Sequence, residues 1–161
     1  MDIRAATTAD WPAIYPIFRA IVEAGETYAY PLGLSSAQAQ QLWMQRPPAI
    51  TVVAAIDGEV VGTANVGPNR PGRGSHVSTA SFMVSPDHSG KGIGRALGEW
   101  ALHWAREQGH RSMQFNAVVE TNVAAVALWQ KLGFAIIGTV PAAFDSTSHG
   151  LVGLHVMYRE L

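Results

Sequence analysis

The chain has 161 residues, with 11 basic and 12 acidic side chains, a formal net charge of −1 and no cysteine. That length suits one domain with its own core, because a chain near 150 residues buries roughly 70% of its unfolded surface. Near-neutral charge supplies no field for nucleic acid or an anionic membrane, and the missing cysteine excludes a disulfide framework, a thiolate zinc site and a cysteine nucleophile. The opening "MDIRAATTADWPAI" lacks the charged-then-apolar pattern of a secretory signal, and no apolar run approaches the ~18 residues of a membrane span. The expectation is a cytoplasmic protein, one domain over residues 1–161, with no nucleic-acid or membrane partner and with small molecules as its ligands.

Along the chain, "IRAA" predicts a short strand, and Thr7 with Asp10 forms a capping box in which Asp replaces the usual Glu. A helix follows to about Gly25, with Ile14, Phe18, Ile21 and Val22 on one face; Pro12 fits its first turn, whereas Pro16 should kink or divide it. "ETYAYPLGL" reads as a loop carrying Tyr28 and Tyr30, and "SSAQAQQLWMQ" as a weaker helix capped by Ser35 or Ser36 and ended by Pro47-Pro48. "TVVAAI" and "EVVGTANV" flank Asp57-Gly58, a strong hairpin signal. "GPNRPGRGSH" is a turn leading to the strand "STASFMV", which Ser85-Pro86 breaks. Beyond Gly94, Leu97, Trp100, Ala101, Trp104 and Ala105 fall at helical spacing as far as Gly109. A strand "SMQFNAVV", a helix "NVAAVALWQKLG" and the strands "FAIIGTV" and "LVGLHVMYREL" complete the order βααβββαβαββ, which predicts an α/β or α+β mixed-sheet fold.

Glycines 90, 92 and 94 lie where a helix begins. The first N–H groups of a helix lack intrahelical partners, its dipole is positive there, and glycine admits close approach, so the turn suits a phosphate. It is not a Walker loop, since Ser85 and Gly92 stand where Gly and Ser or Thr are needed. Nor is it a dinucleotide fingerprint, which would put glycine at Arg95 or Leu97.

With "VSPDHSGKGIGRAL" and, about thirty residues on, "NVAAVALWQKLGF", the sequence resembles the GNAT superfamily of acetyl-coenzyme A dependent N-acetyltransferases over nearly its whole length. The family's Q/R-x-x-G-x-G/A is matched by Ser89-Gly90-Lys91-Gly92-Ile93-Gly94, departing at its first position. Its N-x-x-A-x-x-L-Y-x-K-x-G-F is matched by Asn122, Ala125, Leu128, Lys131, Gly133 and Phe134, with Trp129 in the tyrosine position. The resemblance implies a mostly antiparallel sheet of about seven strands, splayed between the fourth and fifth, with four helices. It implies acetyl-coenzyme A as cosubstrate, its pyrophosphate held by amides from Gly90 to Arg95 and its pantetheine arm by Met83, Val84 and Asn122. Val84 N–H would face the acetyl carbonyl and stabilise the oxyanion formed as an amine attacks. Lys91 or Arg95 could offset the long side chain missing at Ser89. Trp129 cannot serve as the acid that relatives' tyrosine supplies, and is expected against the pantetheine arm or in the core.

The strands "VSTASFMV" and "VVGTANV" contain no carboxylate, so the base is unassigned; Glu120 and His76 are the nearest candidates. Asn116 is a candidate for orienting the acceptor or thioester, and Thr79 and Ser81 share a strand face that could bind substrate or a relaying water. Tyr28 and Tyr30 occupy the segment relatives use to cover the acceptor, and Arg70 or Arg73 could pair a substrate carboxylate. "TYAY", "NRPGRGSH", "MQFNAVVETN" and "ALWQKLGF" together resemble the subgroup acting on small amino acids and proline analogues. The expected partner is thus a small-molecule amine, with no metal; a homodimer is compatible with the sequence. Peptide N-termini or lysines as acceptors, and a non-catalytic acyl-coenzyme A sensor on the same fold, are the alternatives.

Overall fold

The computed structural model describes residues 1–161 and follows the element order read from the sequence. The first half holds β1 (Asp2–Ala5), α1 (Trp11–Ala24), α2 (Ser36–Trp43), β2 (Ile50–Ile56), β3 (Glu59–Pro68) and β4 (Val77–Val84). The second holds α3 (Ile93–Glu107), β5 (Ser112–Val119), α4 (Val123–Lys131), β6 (Ala135–Ser146) and β7 (Gly150–Glu160).

All seven strands form one sheet in the order β1-β2-β3-β4-β5-β7-β6. Neighbours are antiparallel except β4 and β5, whose connection through α3 returns the chain in the same direction. These two strands pair only at Val77 with Ser112 and Ser78 with Met113, then diverge. The buried Ser78 hydroxyl donates to the Ser112 carbonyl (3.0 Å) and fastens the closed end of the fork. Farther along β5, Asn116 and Ala117 form a bulge between Phe115, opposite Met157, and Val118, opposite His155. The expected mixed sheet, splayed between its fourth and fifth strands, is therefore observed.

Helices cover both faces. On one, Ile14 and Phe18 of α1 and Trp43 of α2 pack with Val53 and Met83; on the other, α3 and α4 pack Ala101, Leu102 and Trp129 over Met113, Phe115 and Met157. Trp43 is fully buried, and its indole N–H donates to Thr63 Oγ1 (3.0 Å), as a buried polar group requires.

Of the expected kink or division at Pro16, the division does not occur: α1 runs from Trp11 to Ala24 as one helix. Pro12 and Pro16 both lie on the exposed face, so the carbonyl left without its N–H donor faces water, which can satisfy it. The Thr7–Asp10 box caps a 3-10 turn at Thr8–Asp10 that leads into the helix. Asp10 also receives both guanidinium nitrogens of Arg4 (2.7 and 2.9 Å) and the Thr7 N–H (2.7 Å). Hydrogen bonding to Arg4, with further bonds from Thr7, holds the Asp10 carboxyl far below the usual carboxylate range. A lowered folded-state value means this stabilisation is complete above the unfolded value near 4 and is lost as pH falls below it. Asp10→Asn should cost about 1 kcal/mol at pH 7, given the half-exposed Arg4 partner, with the difference from the parent narrowing as pH falls below about 4. Urea titrations at pH 7 and pH 3 measure both.

Candidate active site

Divergence of β4 from β5 leaves a cavity of about 780 Å³. At one end lies the turn entering α3, with Ser89, Gly90, Gly92, Ile93, Gly94 and Arg95; at the other lie Ile21, Thr27, Tyr28, Tyr30, Phe144 and Leu154.

Gly90 and Gly92 adopt φ of 76° and 78°, in the left-handed region, and a Cβ added at either would meet no atom within 4 Å. Gly92 caps α3, whose first bond runs from Ala96 N–H to the Gly92 carbonyl (3.0 Å). The N–H groups from Gly90 to Arg95 consequently have no acceptor within the chain. His88 Nδ1, also in the cavity wall, is buried without a hydrogen-bond partner. Arg95 is engaged by Glu99 (2.8 Å), and the exposed Lys91 does not line the cavity. This end is built from main-chain donors and suits an anion.

Along β4, Phe82 N–H donates to the Tyr28 hydroxyl (2.9 Å), which donates in turn to the Phe82 carbonyl (2.7 Å). Both main-chain groups of Phe82 therefore point away from β3. Strand alternation then turns those of Met83 toward β3 and those of Val84 toward the cavity. Ser85 N–H, bonded to the Val61 carbonyl (2.9 Å), shows the same phase. Main-chain contacts in the cleft were expected from Met83 and Val84; the main-chain groups of Met83 instead turn to β3, while its buried side chain packs beneath α1 and α2 and lines the cavity. Phe82, which sequence reasoning missed, faces the cleft.

On the opposite wall Asn116 sits in the β5 bulge, donating to Asn69 Oδ1 (2.7 Å) and accepting from Gln114 (2.8 Å). Thr79 and Ser81 also line the cavity. Asn122 lines it too while capping α4, its Oδ1 accepting from Ala125 N–H (3.3 Å). Trp129 forms wall and core together, its ring 4.7 Å from Phe82 and 4.9 Å from Phe115 between centroids. Tyr28 and Tyr30 stack at 5.6 Å with planes 5° apart, and burial pushes both phenols above their ordinary range. Their loop is clasped to the β6–β7 hairpin: Glu26 accepts from Ser146 Oγ, Ser148 N–H and Ser148 Oγ, and Thr147 N–H donates to the Gly25 carbonyl (3.1 Å).

Besides Lys91, four sequence candidates lie outside the cavity. His76 stands at the closed end of the fork, its carbonyl accepting from Arg111 N–H (2.8 Å). Glu120 is tied to β7, its carboxylate accepting from Gly153 N–H. Arg70 and Arg73 are exposed and line no part of the cavity. No Asp or Glu lines it; His88, Arg95, Tyr28 and Tyr30 are its ionisable groups.

Comparison with known proteins fits this geometry. The model of the Acetyltransferase (GNAT) family matches residues 11–134. A GCN5-related N-acetyltransferase from Kribbella flavida is 57% identical, with a TM-score of 0.96 over 99% of this chain and 97% of that one. The L-methionine sulfoximine/L-methionine sulfone acetyltransferase of Pseudomonas aeruginosa is 34% identical over 149 residues, 87% of this chain and 83% of the relative. A GNAT superfamily phosphinothricin acetyltransferase from Sinorhizobium meliloti, solved in complex with AcCoA, is 27% identical, with a TM-score of 0.89 over 99% of this chain and 88% of that one.

Proposed function

The chain belongs to the acetyltransferase (GNAT) family, and from that premise we propose that it transfers acetyl from acetyl-coenzyme A to the amine of a small molecule, an amino acid or close analogue. The observation carrying this reading is one cavity that joins the unpaired amides of Gly90 to Arg95 to the cleft-facing edge of β4. Coenzyme A fits what is present: its diphosphate would satisfy those amides, and the space beside Gly90 and Gly92 is open. Val84 N–H and C=O extend the strand to the pantetheine amides, with Asn122 and Trp129 bounding the arm from α4. When bound, the coenzyme supplies an acetyl thioester.

Phe82 N–H then holds the thioester carbonyl oxygen and the negative charge that grows there as the amine attacks. A C–N bond forms as the C–S bond breaks, coenzyme A departs as its thiolate, and the amine proton passes to water. Since no carboxylate lines the cavity, the apolar wall of Ile21, Phe144 and Leu154 favours the neutral amine by desolvation. Thr79, Ser81, Asn116 and Tyr30 are the uncharged polar groups that orient the acceptor. The relatives' activities on methionine sulfoximine and phosphinothricin support a small amino-acid-like acceptor.

Release of thiol from acetyl-coenzyme A across amino acids, their analogues, peptides and polyamines tests the reading. Tight coenzyme binding without turnover of any amine would instead support an acyl-coenzyme A sensor. With an active acceptor, kcat/KM should rise about tenfold per pH unit until the amine's own pKa is reached. Glu120→Gln and His76→Ala should leave that profile unchanged; an inflection lost in either variant would assign the base to that residue.

A further inference from the structure

The double contact between Tyr28 and Phe82 sits where the proposed function puts the acetyl carbonyl. One hydroxyl accepts from Phe82 N–H and donates to Phe82 C=O, doing with one atom what a paired strand does with two. Without it both groups would be left unpaired on an apolar wall beside Trp129 and Phe115. A single N–H cannot hold both a phenol oxygen and a thioester oxygen at full strength. Free coenzyme A has no such carbonyl and does not compete for it.

We propose that Tyr28 is an internal competitor for the acetyl group, a residue whose hydroxyl must leave Phe82 before the thioester carbonyl can take its N–H, so that the chain weighs acetyl-coenzyme A against free coenzyme A at this position. This rests on the acetyltransferase reading above. Burial keeps the Tyr28 phenol protonated, so it both accepts and donates throughout the neutral range. Glu26 clasps the start of its loop to the β6–β7 hairpin, so Tyr28 leaves by moving its ring rather than by carrying the whole segment away. The ring stacks on Tyr30 and meets Trp43 edge-on (6.1 Å, 84°). Displacement therefore reshapes the aromatic wall at the acceptor end. Seating of the thioester thus opens the acceptor pocket, and loss of the acetyl group lets Tyr28 return.

Tyr28→Phe keeps the ring and deletes only the hydroxyl. Calorimetric titration of parent and variant with acetyl-coenzyme A and with coenzyme A should show the variant binding the thioester about tenfold more tightly, with its affinity for coenzyme A unchanged. Equal changes for both ligands, no change for either, or weaker thioester binding would overturn the proposal. A second measurement needs no variant: the ring resonances of Tyr28 in the parent should shift with saturating acetyl-coenzyme A and hold their positions with coenzyme A. Identical shifts with the two ligands would also overturn it. A parent protein that binds neither ligand would sink the acetyltransferase reading itself, an outcome distinct from bound ligands that ignore Tyr28.

Discussion

Gly92→Asp should abolish measurable coenzyme A binding, weakening it at least about a hundredfold, while the protein stays folded. Gly92 is the cap of α3, and the N–H groups beside it are the proposed diphosphate ligands. A carboxylate there satisfies some of those donors itself and opposes the phosphates; two unit charges 4 Å apart interact by about 4 kcal/mol near a protein surface. The fold should tolerate the change for three reasons. The new Cβ meets nothing within 4 Å. Asp is among the residues that accept positive φ, and an acidic group stabilises a helix N-terminus. Gly92→Asn, of similar shape without the charge, should lose much less affinity, which separates repulsion from obstruction. Titration calorimetry with thermal melts gives both quantities, and an unchanged coenzyme affinity in the Asp variant would remove the diphosphate from this turn.

Trp129→Ala is expected to destabilise the protein by about 3–5 kcal/mol, a fall in Tm of roughly 10 °C. The indole packs among Phe82, Phe115 and Phe134, and it lies so close to α3 that a Cβ on Gly98 would come 3.0 Å from its ring. Removing it hollows the contact between the two helices and frees the ring of Phe82. Trp129→Phe keeps an aromatic at the same place, and turnover should stay within about tenfold of the parent with an unchanged pH profile, because indole delivers no proton. A collapse of kcat in the Phe variant at full stability would show that the indole N–H takes part in the chemistry.

Much of the fold was legible because its signals are local. The Asp57-Gly58 turn, with both residues at positive φ, the Ser35 cap and the helical spacing after Gly94 depend on residues within a few positions of one another. Division at Pro16 was avoided for a tertiary reason: exposure of its face settled whether an unpaired carbonyl was costly, and sequence alone does not give that face its solvent. The catalytic end was less legible. His76 and Glu120 are near the cleft strands in sequence, yet one lies at the closed end of the fork and the other is bonded to β7.

By itself the sequence determined the glycine turn at a helix start, the element order, the absence of carboxylates from "VVGTANV" and "VSTASFMV", and the family resemblance. Each follows from residue type and short-range spacing. Only the tertiary structure decided that Phe82 and Val84, rather than Met83, turn their amides to the cleft, and that Tyr28 answers one of them across 54 positions of chain. Alternation along a strand fixes which residues share an edge, but pairing with a distant neighbour fixes which edge that is.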